Sequence, residues 1–378
     1  TWNLAALSPI TVRVRRAVSN TSFHYEVPQD LYAAWLQDDW KVAPRLTLNL
    51  GVRYDVQLGV HSEDVVLLPW LDGNMPHDLN NIAPRLGFAW SMDDRTVLRG
   101  GYGVFFTQVS TDEAHQSALY TVSAVAERLN DGREDFAENP FNGPVPSFEE
   151  VLATACDVTG IRPGCLRREL TSEINHPWRK GSYSHQTSVG VQRQLGATMA
   201  VEANYVFTGG RGEENTYNIN LRYDPATGVN YPFRDINLRP FPEWGLVNFG
   251  FLEGNSNYHG LETSFTKRFA NRWQASGTYT FAGFWDGTPP PPVIAMVDGK
   301  LTRGELGFDV APDLGGEYSL AAADQRHRAV FNGIWDVGAG FQVSGLYFFG
   351  SGERFATSWG GERRDQGTGG AGRRRADH

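Results

Sequence analysis

Two aspartates stand side by side at Asp38 and Asp39, and paired carboxylates are what general acid–base hydrolysis of a glycosidic bond needs. On an extended strand, neighbours point to opposite faces, so these two cannot flank one substrate. They read instead as one acid at an interface and one inside a lumen. The nine histidines include no pair at the spacing that sets two ligands on one helix face, and no Cys-x-x-Cys occurs, which argues against a conventional zinc site. "GGYGVFF" at 100–106 is superficially like a phosphate-cradling loop, but it lacks the third glycine and lies within a strand pattern. No Gly-x-Ser-x-Gly elbow and no Gly-Lys-Ser/Thr loop is present. The expectation is a protein that is not an enzyme, with no catalytic residue, no metal and no cofactor.

Cys156 and Cys165, in "CDVTGIRPGC", lie in a segment rich in Pro and Gly, where they suit a small disulfide loop in an oxidising compartment. The formal charge of −9 argues against nucleic acid as a partner. Arg13, Arg15 and Arg16, and the closing "GERRDQGTGGAGRRRADH", read as solvated terminal sequence. "TWNLAALSPITVRVRRAVSN" has its apolar patch before its arginines, the reverse of a signal peptide, so the start reads as truncated or processed.

The elements left to position any function are strands. With 42 glycines, 22 Phe, 14 Tyr and 11 Trp against four Met, the composition favours turn-rich, aromatic β-structure. In "RLTLNLGVRYD" (45–55), apolar and polar residues alternate strictly, the period of a strand with two unlike faces. The pattern recurs in pairs around short turns: "LYAAWLQDDWK" with "RLTLNLGVRYD", "APRLGFAWSM" with "TVLRGGYGVFF", "HQTSVGVQRQL" with "MAVEANYVFTG", "YHGLETSFTKRF" with "RWQASGTYTFAGF", and "RHRAVFNGIWDV" with "FQVSGLYFFGSG". That gives five hairpins and ten strands of about ten residues.

Between hairpins the connections are long: 58–83, 108–183, 209–257 and 285–325. Strict alternation of short and long connections fits an antiparallel barrel in an outer membrane, with short periplasmic turns and long extracellular loops. No run of 18 apolar residues encodes a helical span. One face of each strand then meets lipid. The other is a lumen wall, to which we assign Arg53, Asp55, Arg99, Gln192, Glu202, Asn204, Glu262, Gln274 and Thr278. Trp40, Trp90, Trp273 and Trp335 fall beside the short turns, as interfacial aromatics would. Loop 108–183 is the candidate for ligand contact, because outer loops meet a substrate first.

Several segments together, "YAAWLQDDWKVAPRLTLNLGVRYD", "NIAPRLGFAWSMDDRTVLRGGYGVFF", "SHQTSVGVQRQLGATMAVEANYVFTGG", "YHGLETSFTKRFANRWQASGTYTFA" and "DQRHRAVFNGIWDVGAGFQVSGLYFFGSG", resemble the barrel of TonB-dependent outer-membrane receptors, specifically the Oar-like group. The likeness runs through residues 25–355. It implies a barrel of about 22 strands, a plug domain and TonB as partners, an extracellular ligand it does not identify, and residence in the bacterial cell outer membrane among its lipids. The sequence departs from the family pattern in having no plug, no TonB-engaging motif, about half the strands, and an end, "GRRRADH", without a terminal aromatic strand. The expected organisation is an N-terminal segment 1–24 that is loop or a truncated start, a partial barrel 25–355, and a Gly/Arg-rich tail 356–378 that is loop or disordered. The resemblance thus implies the barrel portion, as a fragment, of a receptor for uptake. The alternatives are a passive porin-like channel, an outer-membrane structural or adhesion protein, and, third, a soluble glycan-binding β-protein.

Overall fold

The computed structural model describes residues 10–16, 28–60, 66–74, 76–109, 122–153, 166–175, 180–224, 226, 229–233, 235–242, 244–287, 294–297, 300–303, 318–352 and 354. Strand β1 (Ile10–Arg16) comes first, then the hairpin of β2 (Asp30–Ala43) and β3 (Leu46–Leu58). A loop ribbon of β4 (Val66–Leu67) and β5 (Leu71–Asp72) leads to the hairpin of β6 (Asn81–Ser91) and β7 (Thr96–Phe106). The next connection holds β8 (Val122–Arg128), a short helix α1 (Phe148–Ala153) and β9 (Leu166–Asn175). The hairpin of β10 (Tyr183–Leu195) and β11 (Met199–Asn218) follows, then the ribbon of β12 (Tyr223–Asp224) and β13 (Val229–Asn230). The hairpin of β14 (Trp244–Ala270) and β15 (Trp273–Gly287) precedes the ribbon of β16 (Ile294–Val297) and β17 (Lys300–Arg303). Last come β18 (Ser319–Leu320) and the hairpin of β19 (His327–Gly338) and β20 (Phe341–Gly350).

The hairpins join side by side, each strand antiparallel to the one before and after it, from β2 at one edge to β20 at the other. This meander is the wall of the fold, and tight turns close it at one end. The turn between β14 and β15 places Asn271 and Arg272 at φ 53° and 72°. Positive φ at both central residues gives the hairpin a twist that matches its strands. In the turn between β10 and β11, Gly196 takes φ 65°, a conformation a side chain would resist.

Above the wall the sheet branches. The first residues of β14, Trp244–Gly250, run parallel to β9, while Asn255–Ala270 pair with β15. β9 pairs with β8, and β8 with β1, so a three-stranded arm grows from the loop end. This corrects two sequence expectations. Ile10–Arg16, expected within a loop or truncated start, is a strand, and Arg13, Arg15 and Arg16, expected in a terminal tail, stand in register with Val125, Ser123 and Val122. The tail 356–378 lies outside the described residues.

Burial is inverted relative to a water-soluble sheet protein. Every position of β2 and of β20 is exposed, and Leu36, Val189, Leu261, Phe331 and Tyr347, all on one face of the wall, expose large apolar side chains. The fully buried apolar residues lie mainly in or under the loops: Val60, Trp70, Leu71, Val247, Phe249 and Phe251. A contiguous apolar face of this extent needs a non-aqueous partner.

Val189 is the middle residue of β10 and lies on the apolar face, opposite Gly100 and Tyr205. Val189→Arg is expected to destabilise the wall by about 2–4 kcal/mol in lipid, whereas Ser188→Arg, one residue away on the other face, costs little. Denaturant titration of the full-length protein in lipid vesicles checks the contrast; equal losses would mean that the apolar face does not meet hydrocarbon.

Candidate functional site

Register decides which side chains share a face, since directly opposed residues of paired strands point the same way. One row runs Arg99, Gly190, Asn204, Glu262 and Thr280 across five strands. The next row runs Val97, Gln192, Glu202, Ser264 and Thr278. Six of the nine polar residues singled out from sequence are thereby neighbours, and Gln274 follows Thr278 on the same face toward the turns. Arg53 and Asp55 stand apart on β3, opposite Ala83 and Asn81 of β6. All nine occupy one face.

Two ion pairs, Arg99–Glu202 and Arg53–Asp55, stand on this face. Arg99 donates to Glu202, and the Asn204 amide donates to the same carboxylate oxygen at 2.6 Å. Arg53 Nε donates to both oxygens of Asp55 at 3.0 and 2.9 Å. Asn49 donates to Asp39 at 2.5 Å, which puts Asp39 on the polar face; its neighbour Asp38 opposes Leu50 on the other. Near Arg53, the Arg85 guanidinium stacks 4.4 Å from the Phe105 ring centroid, beside a cavity of about 340 Å³ lined by Arg53, Asp55, Arg85 and Phe105 among others. The described residues contain no cluster of His, Cys, Asp and Glu that could hold a metal ion. This is a polar wall suited to contacting another polar surface.

The four tryptophans share the opposite, apolar face. Trp40 opposes Leu48, Trp90 opposes Leu46 and Leu98, and Trp273 opposes Trp335. Each lies at the turn end and is 38–60% exposed, so the four form one row beside the tight turns. Sequence reasoning missed a second row nearer the loops. Tyr102 and His185, Tyr205 and His259, and Tyr279 and His327 each share a hydrogen bond between the phenol oxygen and Nδ1, at 2.9, 2.7 and 2.8 Å. A signal was present: each tyrosine is six residues past the first residue of its strand, counted from Thr96, Met199 and Trp273.

The loops pack into a platform. The Trp70 ring meets Phe241, Trp244 and Phe249 edge-on, with centroids 4.7, 5.4 and 5.9 Å away. Asn220, fully buried, holds this group together: its Nδ2 lies within 3.0 Å of the carbonyls of Phe241, Trp244 and Gly245, and its Oδ1 accepts from the Phe241 N–H at 2.8 Å. The Arg239 guanidinium, over the Phe233 ring at 4.0 Å, donates to the Phe233 and Trp244 carbonyls. Of the expected ligand-contact loop 108–183, the ordered stretch around Arg133 is tied by that side chain to Asp131, Asp135 and the Asn139 carbonyl. The hydrogen bond from Arg133 holds the Asp131 carboxyl below its usual range, so this tie loosens only as pH falls past the ordinary carboxylate value. Cys156 and Cys165 lie outside the described residues.

Asn220→Ala removes the bridging side chain and leaves the Phe241 N–H and three carbonyls short of partners. The expected loss of platform stability is about 1–3 kcal/mol. Hydrogen exchange over residues 235–250 should accelerate about 10- to 100-fold, with the wall hairpins unchanged; unchanged exchange in the platform would show that Asn220 does not organise it.

Comparison with known proteins follows this geometry. In solved structures, the fold is similar to the siderophore receptor PirA from Acinetobacter baumannii (12% identity, TM-score 0.45, covering 85% of this chain and 33% of that one). It is also similar to the outer membrane transporter YddB from Escherichia coli (14%, 0.46, 88% and 34%) and the alcaligin outer membrane receptor FauA from Bordetella pertussis (11%, 0.39, 85% and 37%). The chain spans about a third of the length of these structures. No curated protein matches it. The family model for the outer membrane beta barrel domain matches residues 12–68 and 69–377, nearly the whole sequence. The chain belongs to the outer membrane β-barrel domain family, in the bacterial outer membrane.

Proposed function

We propose that this chain is part of the barrel of a TonB-dependent receptor of the Oar-like group, which takes up a ligand captured at its outer loops. One observation carries the reading: the five hairpins form an open wall, in which β2 and β20 each have a single neighbour among the described residues. In lipid an unpaired ladder leaves a row of N–H and C=O groups without partners, each costing several kcal/mol. A larger barrel, of about 22 strands on the family resemblance, supplies the neighbours. The polar face then lines the lumen and meets a plug domain through Arg53, Asp55, Arg99, Gln192, Glu202, Asn204, Glu262, Gln274 and Thr278. Trp40, Trp90, Trp273 and Trp335 sit at the periplasmic interface, and the loop platform with segment 108–183 faces the ligand. TonB pulls on the plug to open the path. A disulfide between Cys156 and Cys165 would brace that segment.

Two measurements test this. The isolated chain, refolded into detergent or vesicles, should give no heat-modifiable band on SDS gels; a folded band that shifts on boiling would mean that these strands close on themselves. The full-length protein, extracted from outer membranes and placed in a planar bilayer, should show no steady conductance until denaturant unfolds the plug. A steady open pore in the native protein would overturn the receptor reading in favour of a passive channel.

A further inference from the structure

The tight turns fix register within each hairpin, but at the seams between hairpins no tight turn joins the paired strands. Alternation of faces excludes a slip of one residue, because that would turn every apolar side chain inward. It does not exclude a slip of two, which preserves the faces. Something else must set the register at each seam.

The Tyr–His pairs stand at these seams: Tyr102–His185 joins β7 to β10, Tyr205–His259 joins β11 to β14, and Tyr279–His327 joins β15 to β19. In each, the histidine lies directly opposite the residue two past the tyrosine, namely Val104, Phe207 and Phe281. Where that residue is Phe, the imidazole also contacts its ring, at 4.9 Å for Phe207 and 5.3 Å for Phe281. A slip of two breaks the hydrogen bond and leaves a phenol and an imidazole unpaired against hydrocarbon, a penalty the correct register avoids. The seam between β3 and β6 departs from the pattern: Val52 takes the tyrosine place and Ile82 opposes Tyr54.

Strand β20 repeats the tyrosine half of the pattern. Tyr347 is six residues past Phe341, Phe349 follows two later on the same face, and both are exposed at the free edge, 59% and 47%. Resting on the larger-barrel reading above, we propose that β20 is a docking edge for the next strand of the same barrel, and that this strand presents a histidine directly opposite Phe349, hydrogen-bonded to Tyr347. The edge strand β2, Asp30–Ala43, contains no histidine and does not qualify as that partner.

The test places p-benzoylphenylalanine at Phe349 in the full-length protein within outer membranes, irradiates it, and identifies the attached peptide by mass spectrometry. The expected product is a peptide of the same polypeptide with a histidine within two residues of the attachment point. Its yield should fall severalfold in the Tyr347→Phe background, and the same label at Phe348, on the opposite face, should not give it. Attachment to a different strand segment lacking histidine overturns the proposal and leaves the larger barrel standing. Attachment to Asp30–Ala43, or to no peptide at all, overturns both.

Discussion

Every backbone amide in a bilayer must find its partner in the protein, and the wall is organised around that requirement. A continuous antiparallel ladder meets it, and only a ladder without a free edge meets it fully. The demand on the backbone leaves side chains free to sort by face, which is why the wall can expose Leu36, Val189 and Tyr347 on one face while its other face carries Arg99, Glu202 and Glu262. Hydrophobic burial, the usual source of a fold's stability, is displaced into the loops around Trp70, Phe249 and Phe251. The molecule therefore combines two regimes, hydrogen-bonded wall and packed platform.

How much of this the sequence discloses follows from the range of the interactions. Hairpins are local: alternation in "RLTLNLGVRYD" sets a strand, and the short turn beside it sets the partner, so β2 with β3 and β14 with β15 are legible from neighbouring residues. Face assignment follows from period two, which is why residues as distant as Arg53 and Thr278 fall on one face. The arm was not legible, because seven residues at Ile10–Arg16 have no nearby turn and pair with a strand more than a hundred positions away. The platform hid for the same reason: Trp70 packs on Phe241 and Trp244, and nothing local to either segment announces the other. The Tyr–His pairs occupy the middle ground, with half of each pair repeating at a fixed distance from a turn and the other half supplied across a long loop.

The two regimes meet in β11 and β14. At β11 the register with β14 shifts between Arg211 and Glu214, and Gly212 takes φ 70°, the signature of a bulge. Around it Arg211 donates to the Ser256 carbonyl at 3.0 Å and to Asn257 at 3.0 Å, and Ser256 donates to Glu213. Below the bulge the pair belongs to the wall; above it, Asn218 opposes Asn248 and the strands enter the platform.

That continuity couples the platform to the wall. β14 has 27 residues, roughly 90 Å when extended, while a tilted strand crosses the apolar band in about 9–11. The excess carries Val247, Phe249 and Phe251, all buried at 1% exposure or less, into the platform as part of an unbroken strand. A platform seated on such a strand is not a loop that closes by itself. Force or displacement at its surface passes through the bulge into the ladder, and the bulge, with a glycine at positive φ and hydrogen bonds on both sides, is the point where the pair bends without losing partners. The geometry therefore favours a rigid platform, carried on β11 and β14 as an extension of the wall.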